Sequence, residues 1–410
     1  MTTYDDYNAA SVPKKKKRKL TVGMPEGSDL MINLSIAWLA VFGTLMIASA
    51  SMGIALSSPL YLPLTIIKQI VYLVGGYIAM HWLARHFSVE FLRNENFPLF
   101  ALAVDLALIV CLFFPEVNGA KAWIRIPVST VDVSIQPSEF AKIMTVLVIA
   151  AYCGDVHKRF RSGWSMIRRP VFFVASYLFI VLIMQSDLGS MVVIFAIAWI
   201  CFLLPQHPQM RLYQRWQVIL MILGIITIIF MLSPWGEGLI RALPLRPYQI
   251  NRILSAVNPF ADQYDTGYQL VNGLVSFATG GWTGLGFGNS VRKYTRFPAA
   301  NTDFILAIVV EELGYFGFLL IFIPYLLIIW RLFHYASRMK SEKGRIIMIG
   351  TAMYILIHCL FNIGGVTGMI PLTGVPLLMI SAGGSSTISL MCAVGIAQGV
   401  IIEYRNGELE

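Results

Sequence analysis

The sequence predicts an all-α membrane protein, a polytopic bundle of about ten transmembrane helices. Three observations carry that expectation. Hydrophobic residues make up 57% of the 410 residues and charged residues only 13%, with a mean hydropathy of +0.69, whereas a soluble chain of this length needs more polar surface. The apolar residues fall in blocks of about 18–25, the length that crosses a hydrocarbon core as a helix. Alternation of period two, the mark of an outer-membrane barrel, is absent from these blocks, so helices are the spanning structure.

Taken in order, spans are expected near 30–52, 62–83, 97–114, 137–153, 171–185, 188–204, 217–235, 304–333, 346–364 and 386–403. They form a membrane domain of 29–404 between a basic tail, 1–28, and a short polar tail, 405–410. The N-terminal "PKKKKRKL" looks like a nuclear import signal. On a polytopic chain it reads instead as a juxtamembrane anchor that meets anionic membrane lipids. "ASASMG", 48–53, resembles a signal-peptidase site, but the apolar block before it is too long for a signal peptide.

The loops set the orientation. Lys14 to Lys19, then Arg85 and Arg93, then Lys158, Arg159, Arg161, Arg168 and Arg169, then Arg211 and Arg215, then Arg338, Lys340, Lys343 and Arg345 all fall on one side of such a bundle, with both termini. That side is cytoplasmic by the positive-inside rule. The net charge of +9 therefore reports orientation in a membrane, and nucleic acid is not implied. The five cysteines, Cys111, Cys153, Cys201, Cys359 and Cys392, lie in or at the ends of apolar blocks without paired spacing and read as small packing residues. The six histidines show no metal-ligand spacing.

Two outer loops stand out, 115–136 and about 236–303. The second is long enough to be functional. Within it Ile250, Ile253, Leu254 and Val257 recur at helical spacing beside Arg246 and Arg252, the pattern of a short amphipathic helix on the bilayer surface.

Candidate chemistry lies at the outer ends. Asp303, at the mouth of the span near 304–333, is placed for partial desolvation that suits a general base; the alternative is a helix N-cap, since "NTD" before an apolar run is ordinary capping chemistry. Glu311 and Glu312 lie about 12 Å deeper at helical rise, too far to share a proton with Asp303. In "QPSEFAKI", Glu139 falls near the positive end of a helix with Lys142 one turn below. A polar seam of Glu139, Lys142 and Glu311 or Glu312 is expected, either functional or a structural ion pair. "GGWTGLGFGNS", 280–290, lacks the Gly-Lys-Ser/Thr ending of a nucleotide loop, and its glycines suit close approach of backbone to a ligand or surface. Around it lie Arg241, Arg246, Arg252, Arg292, Lys293 and Arg296, with Lys121 and Arg125 from the other loop. Such cations beside an acid suit a lipid-linked phosphate, with a solvated surface as the alternative. In 362–386, Gly and Pro interrupt the helix pattern, giving either a tight hairpin or a partly re-entrant segment that lines a cavity.

"NGAKAWI", "IQPSEFAK", "QSDLGS", "GYQL", "GNSVRK", "TDFILAIVVEELG" and "PLTGVPL…GGSS", in this order from about residue 30 to 404, resemble the SEDS family (shape, elongation, division and sporulation). "GNSVRK" is more like the family's division branch than its elongation branch. The resemblance implies a ten-span peptidoglycan glycosyltransferase of the bacterial cytoplasmic membrane at the division septum. Its substrate would be lipid II, an undecaprenyl-pyrophosphate-linked disaccharide peptide. Its partners would be a class B penicillin-binding protein, a transpeptidase, and other division proteins. It makes Asp303, the aspartate of "TDF", the catalytic residue. Beside it, Lys121, Trp123, Gln136, Ser138, Asp187, Arg246, Arg252, Lys293, Thr302 and Ser385 are expected at the substrate, with Arg246, Lys121 and Arg252 first among the phosphate-binding cations. The chain departs from the family's Pro-Glu-x-His-Thr-Asp in having Ala299 and Asn301, and "LLMISAGGSS" replaces a Pro-Phe-Ile-Ser-Tyr-Gly-Gly form. No organic cofactor is implied; a divalent cation, Mg2+ or Mn2+, is compatible with the diphosphate, and the sequence identifies no ligands for it. The rival expectations are a lipid II flippase, with the intramembrane charges lining a path, and a scaffold that only recruits division proteins.

Overall fold

The computed structural model describes residues 23–117, 119–128, 131–155, 160–231, 233–242, 247–295 and 297–409. A helix fills every expected span. These are α1 (Leu30–Ala50), α2 (Tyr61–His86), α3 (Phe97–Val110), α4 (Pro137–Cys153), α5 (Gly163–Phe179), α6 (Leu188–Leu203) and α7 (Arg211–Met231). Then come α8 (Pro247–Val257) and α9 (Tyr268–Gly280) in the long loop, and α10 (Ile305–Arg338), α11 (Glu342–Val366) and α12 (Gly384–Arg405). Seven helices among the described residues are long and apolar enough to cross a membrane. The other three, α3, α4 and α6, have 14, 17 and 16 residues; α4 spends part of its length on Glu139 and Lys142.

Two boundaries differ from the hydropathy reading. α5 starts at Gly163 rather than near 171, because Ser162 and Ser165 form a reciprocal capping box in the basic loop. α7 spans Arg211–Met231 rather than 217–235; its first turns are polar and Pro234 lies just past its end, so an apolar window slides too far along the chain.

The centre of the bundle is α10, α11 and α12. α12 packs along α2 through glycines: a Cβ at Gly395 would lie 2.6 Å from the Met80 carbonyl, and one at Gly399 3.0 Å from that of Phe87. Small residues of this kind let membrane helices approach closely. α1 lies on α10, and α4 packs between α5, α6 and α11. α7 stands apart, with no buried side chain.

Three irregular features position the site. First, the loop 115–136 contains a hairpin, β1 (Ile124–Val128) and β2 (Val131–Ile135), paired antiparallel from Ile124 opposite Ile135 to Val128 opposite Val131. Ile124, Ile126 and Val128, then Val131, Val133 and Ile135, alternate over one short stretch, the period of a strand. Second, α10 breaks at Gly314, whose φ is 66° and ψ −163°. There the glycine-rich stretch completes the broken ladder. Leu285 N and Gly286 N donate to Glu311 O and Glu312 O, each at 2.9 Å, and Tyr315 N donates to Gly281 O at 2.9 Å. These glycines admit a helix backbone rather than a ligand: a Cβ at Gly284 would sit 2.2 Å from Glu312 O, and one at Gly314 2.2 Å from Trp282 O. Third, the chain between α11 and α12, 367–383, is not helical and inserts among its neighbours: a Cβ at Gly43 of α1 would lie 2.1 Å from Met379 O, and one at Gly189 of α6 2.3 Å from Thr373 O. Such backbone is tolerated at membrane depth where it lines a cavity.

Candidate active site

That cavity, about 350 Å³, opens at the end of the bundle where α4, α6, α10 and α12 begin. Asp303 lines it and is half-buried. Its backbone is fixed from both sides. Asn362 Nδ2, on α11, donates to Asp303 O at 2.8 Å and to Val375 O at 2.9 Å. Ser381 Oγ donates to Thr302 O at 2.8 Å, and Ala382 N to Asn301 O at 2.9 Å. The turn before it uses Ala299 at φ 53°, with Thr302 N and Phe304 N both donating to Ala299 O.

The capping alternative does not hold. α10 begins at Ile305, its N-cap is Phe304, and no side chain caps it. Asp303 therefore points its carboxylate into the cavity instead of spending it on helix N–H groups. Burial pushes this carboxyl up to about 7, against the pull of the Arg252 guanidinium. Arg252 reaches the cavity from α8. Gly374, at φ 71°, leaves open the space between the two: a Cβ there would lie 3.6 Å from Asp303 Oδ2 and 3.8 Å from Arg252 Nη1.

Across the cavity a polar wall is built from three elements. Asp187 caps α6, accepting from Ser190 N through Oδ1 at 3.0 Å, and its Oδ2 accepts from Gln136 Nε2 at 2.9 Å. Gln136 N donates to Ser385 Oγ at 2.8 Å, and Ser385 Oγ donates to Ser134 O at 3.2 Å. Tyr72 OH bonds both N and O of Ser134, so α2 and α12 hold the hairpin between them. Arg125, over the Trp123 ring at 5.8 Å, and Trp123 itself complete the wall.

The floor is charged. Lys142 Nζ donates to Glu139 Oε1 at 2.7 Å, with both side chains almost wholly buried, and to His358 Nε2 at 3.1 Å. An ammonium only donates, so His358 Nε2 is the acceptor nitrogen and Nδ1–H donates to Pro376 O at 3.3 Å. Tyr354 OH adds a bond to Glu139 Oε2 at 3.4 Å. Beneath it Val146, Leu147, Ile347 and Ile396 pack apolar against one another.

Of the residues singled out in the sequence, Trp123, Gln136, Asp187, Arg252, Thr302 and Ser385 line this cavity with Asp303. Others do not. Lys293 is fully buried in an ion pair with Glu312, 2.8 Å, and is no phosphate ligand here. Ser138 is sealed, donating to Ser190 Oγ at 3.1 Å. Lys121 is exposed on the hairpin loop outside the cavity lining. Arg246 lies outside the described residues. The single polar seam divides in two. Glu139 and Lys142 pair on α4 under the cavity, while Glu312 takes Lys293, Ser49 Oγ at 2.7 Å and Gly288 N at 3.0 Å, and Glu311 takes Ser290 Oγ at 2.5 Å. Sequence reasoning had Arg125 among the outer cations and Glu139 beside Lys142, but it missed Gly374 and His358. His358 was signalled by being the histidine inside a span.

Comparison with known proteins agrees with this architecture. Residues 29–406 match the model of the FtsW/RodA/SpoVE family, described as cell cycle proteins. The chain belongs to that family: it is a multi-pass helical membrane protein of the SEDS type. Within it the chain is most like FtsW. It is 30% identical over 403 residues to a probable peptidoglycan glycosyltransferase FtsW of Dichelobacter nodosus, covering 96% of this chain and 94% of that one. To the protein of the same description from Halomonas elongata it is 31% identical, covering 90% and 88%. Two solved structures share the fold. One comes from a peptidoglycan synthase complex studied for the coordination of polymerization and crosslinking, with a TM-score of 0.67, 23% identity, and coverage of 92% of this chain and 98% of that one. The other is the rod shape determining protein RodA of Thermus thermophilus, with a TM-score of 0.60, 19% identity, and coverage of 92% and 97%.

Proposed function

We propose that this protein, a glycosyltransferase of the FtsW type, polymerises lipid II into glycan strands on the outer face of the bacterial cytoplasmic membrane during division, with Asp303 as general base. The observation that carries the reading is an unspent carboxyl raised to about 7 in a polar cavity at one end of a membrane bundle. A base held near the working pH is what proton abstraction from a sugar hydroxyl needs.

In the reaction the acceptor hydroxyl oxygen bonds to the donor's anomeric carbon. The bond from that carbon to the lipid diphosphate breaks, and its electron pair leaves with the diphosphate. Asp303 takes the hydroxyl proton. Direct attack inverts the anomeric centre, and the diphosphate already activates the sugar, so no nucleotide is consumed. Arg252 and Arg125 face the charge that builds on the leaving group. Gln136, Asp187 and Ser385 offer donors and acceptors to sugar hydroxyl and amide groups. The opening at Gly374 gives an acceptor oxygen room beside Asp303.

No three His, Cys, Asp or Glu side chains converge as metal ligands among the described residues. A divalent cation travelling with the diphosphate would take most of its ligands from phosphate oxygens and water. The charged floor over apolar packing favours an enzyme over a flippase, whose headgroup path must run on to the other face. Residues 1–28 and both termini belong on the cytoplasmic side in this reading, and a class B penicillin-binding protein is the crosslinking partner. The test is polymerisation of lipid II by the purified protein, alone and with a cognate transpeptidase. Glycan chains in either reaction support the reading. Lipid II transport across vesicles with no polymer in both reactions overturns it.

A further inference from the structure

The end of the bundle away from Asp303 holds a second, open groove of about 1270 Å³. α4 runs from one concavity to the other, with Glu139 and Lys142 lining the first and Ala151 and Tyr152 the second. The C-terminal turn of α4 gives Tyr152, the first turns of α5 give Arg168, Arg169 and Phe172, and the start of α11 gives Lys343. With Arg93 and Arg161 the groove has, among the described residues, five cations against two carboxylates, Glu95 and Asp155.

The cations are arranged rather than scattered. Arg169 is laid over the Tyr152 ring at 5.8 Å. Lys343 is only 5% exposed, and its stem packs on Gly154, where a Cβ would come within 2.7 Å of Lys343 Cγ. Arg93, Arg161 and Arg168 are exposed and form no ion pair among the described residues. Phe172, 63% exposed, lines the same groove one turn along α5 from Arg168 and Arg169, and Trp164, 57% exposed, stands at the start of that helix. A ligand that fills the groove meets guanidinium groups near the start of α5 and the exposed apolar ring of Phe172 one turn further along the same helix. Guanidinium forks match phosphate oxygens in pairs, and basic pockets between spanning helices suit phospholipid headgroups.

We propose that this groove is a headgroup site for an anionic phospholipid carrying two phosphodiesters, of the diphosphatidylglycerol class. Five cations against two carboxylates leave a surplus that a single phosphodiester does not neutralise, and the exposed Phe172 places the acyl chains along α5. This site is independent of the reaction at Asp303.

The test is native mass spectrometry of the detergent-purified protein titrated with diphosphatidylglycerol, phosphatidylglycerol, phosphatidylcholine or inorganic pyrophosphate. Diphosphatidylglycerol is expected to bind one-to-one and more tightly than the other two lipids. Arg161→Gln with Arg168→Gln should weaken it by about ten-fold or more, roughly 1.4 kcal/mol. Arg211→Gln with Arg215→Gln removes the same charge from exposed positions at the same end of the bundle, and should change it by less than about two-fold. Equal losses in the two double variants, or equal retention of phosphatidylcholine, overturn the proposal. Binding of pyrophosphate as tight as that of the lipid assigns the site to a free phosphate anion and overturns the lipid. Where the glutamine variant fails to fold, Arg161→Lys with Arg168→Lys keeps the charge and removes the fork; a drop in diphosphatidylglycerol preference is then expected, and none overturns the proposal.

Discussion

Asp303 is surrounded by backbone that other residues hold in place, and its own carboxylate is left for the cavity. Replacing it by Asn should leave the fold intact while lowering polymerisation by about 10²–10⁴ if it acts only as a general base. The pH dependence follows from its raised pKa. Activity should climb as pH rises through about 7, where the carboxyl ionises, and fall below it. Stability runs the other way: between the ordinary carboxylate value and about 7 the folded state holds the proton more tightly than the unfolded state, so ionising Asp303 costs stability as pH rises through that window. Asp303→Asn should therefore melt at or above the parent temperature at pH 8, with the difference vanishing near pH 4; thermal melting at the two values checks this. At this scale the sequence was readable where a motif fixed the residue and unreadable where a partner came from far along the chain. Asp303 stood out by position, and setting aside the helix cap needed only the location of the helix start. Lys293 looked like a phosphate ligand because it lies among other cations in sequence. Glu312 and Ser49 claim it, and no spacing rule gives a partner from α1.

Among the elements, α10 is the one whose conformation the account most depends on. Its break at Gly314 exchanges backbone hydrogen bonds with 281–286, and the Lys293–Glu312 pair locks the same loop from the side-chain direction. Lys293→Met strands Glu312 as a buried charge, so it should destabilise the protein by about 3–5 kcal/mol. Adding Glu312→Gln should recover part of that loss; melting of the single and double variants reads the coupling. Gly284→Ala should also lower stability, because its Cβ meets the Glu312 carbonyl at 2.2 Å. The helices themselves were legible because an apolar block of the right length has one outcome in a membrane. The hairpin was not. Its alternation runs over one short stretch in a chain dominated by long apolar blocks, and Pro127 within β1 weakens the strand signal further.

For the whole molecule, hydropathy gave the spans and loop charge predicts an orientation, since both are sums over many residues. What they could not give is which ends converge. Asp303, Arg252, Gly374 and Asp187 are far apart in the chain and meet because α6 and α10 begin, and α8 and the non-helical 367–383 reach in, at one end of the bundle. The orientation has a direct check. Of the native cysteines four are buried and Cys392 is half-buried, so introduced ones report cleanly. Tyr264→Cys, at an exposed position of the outer loop between α8 and α9, should react with an impermeant maleimide in cells with an intact inner membrane; Ser162→Cys, in the basic loop, should react only after permeabilisation. The reverse pattern would invert the topology and put Asp303 on the wrong side for a wall precursor. The measurement closest to the central claim is lipid II polymerisation at pH 8 by purified parent and Asp303→Asn proteins, matched for folding by their melting curves. The account predicts glycan chains from the parent and almost none from the variant. Chains of similar yield and length from both would take Asp303 out of the chemistry.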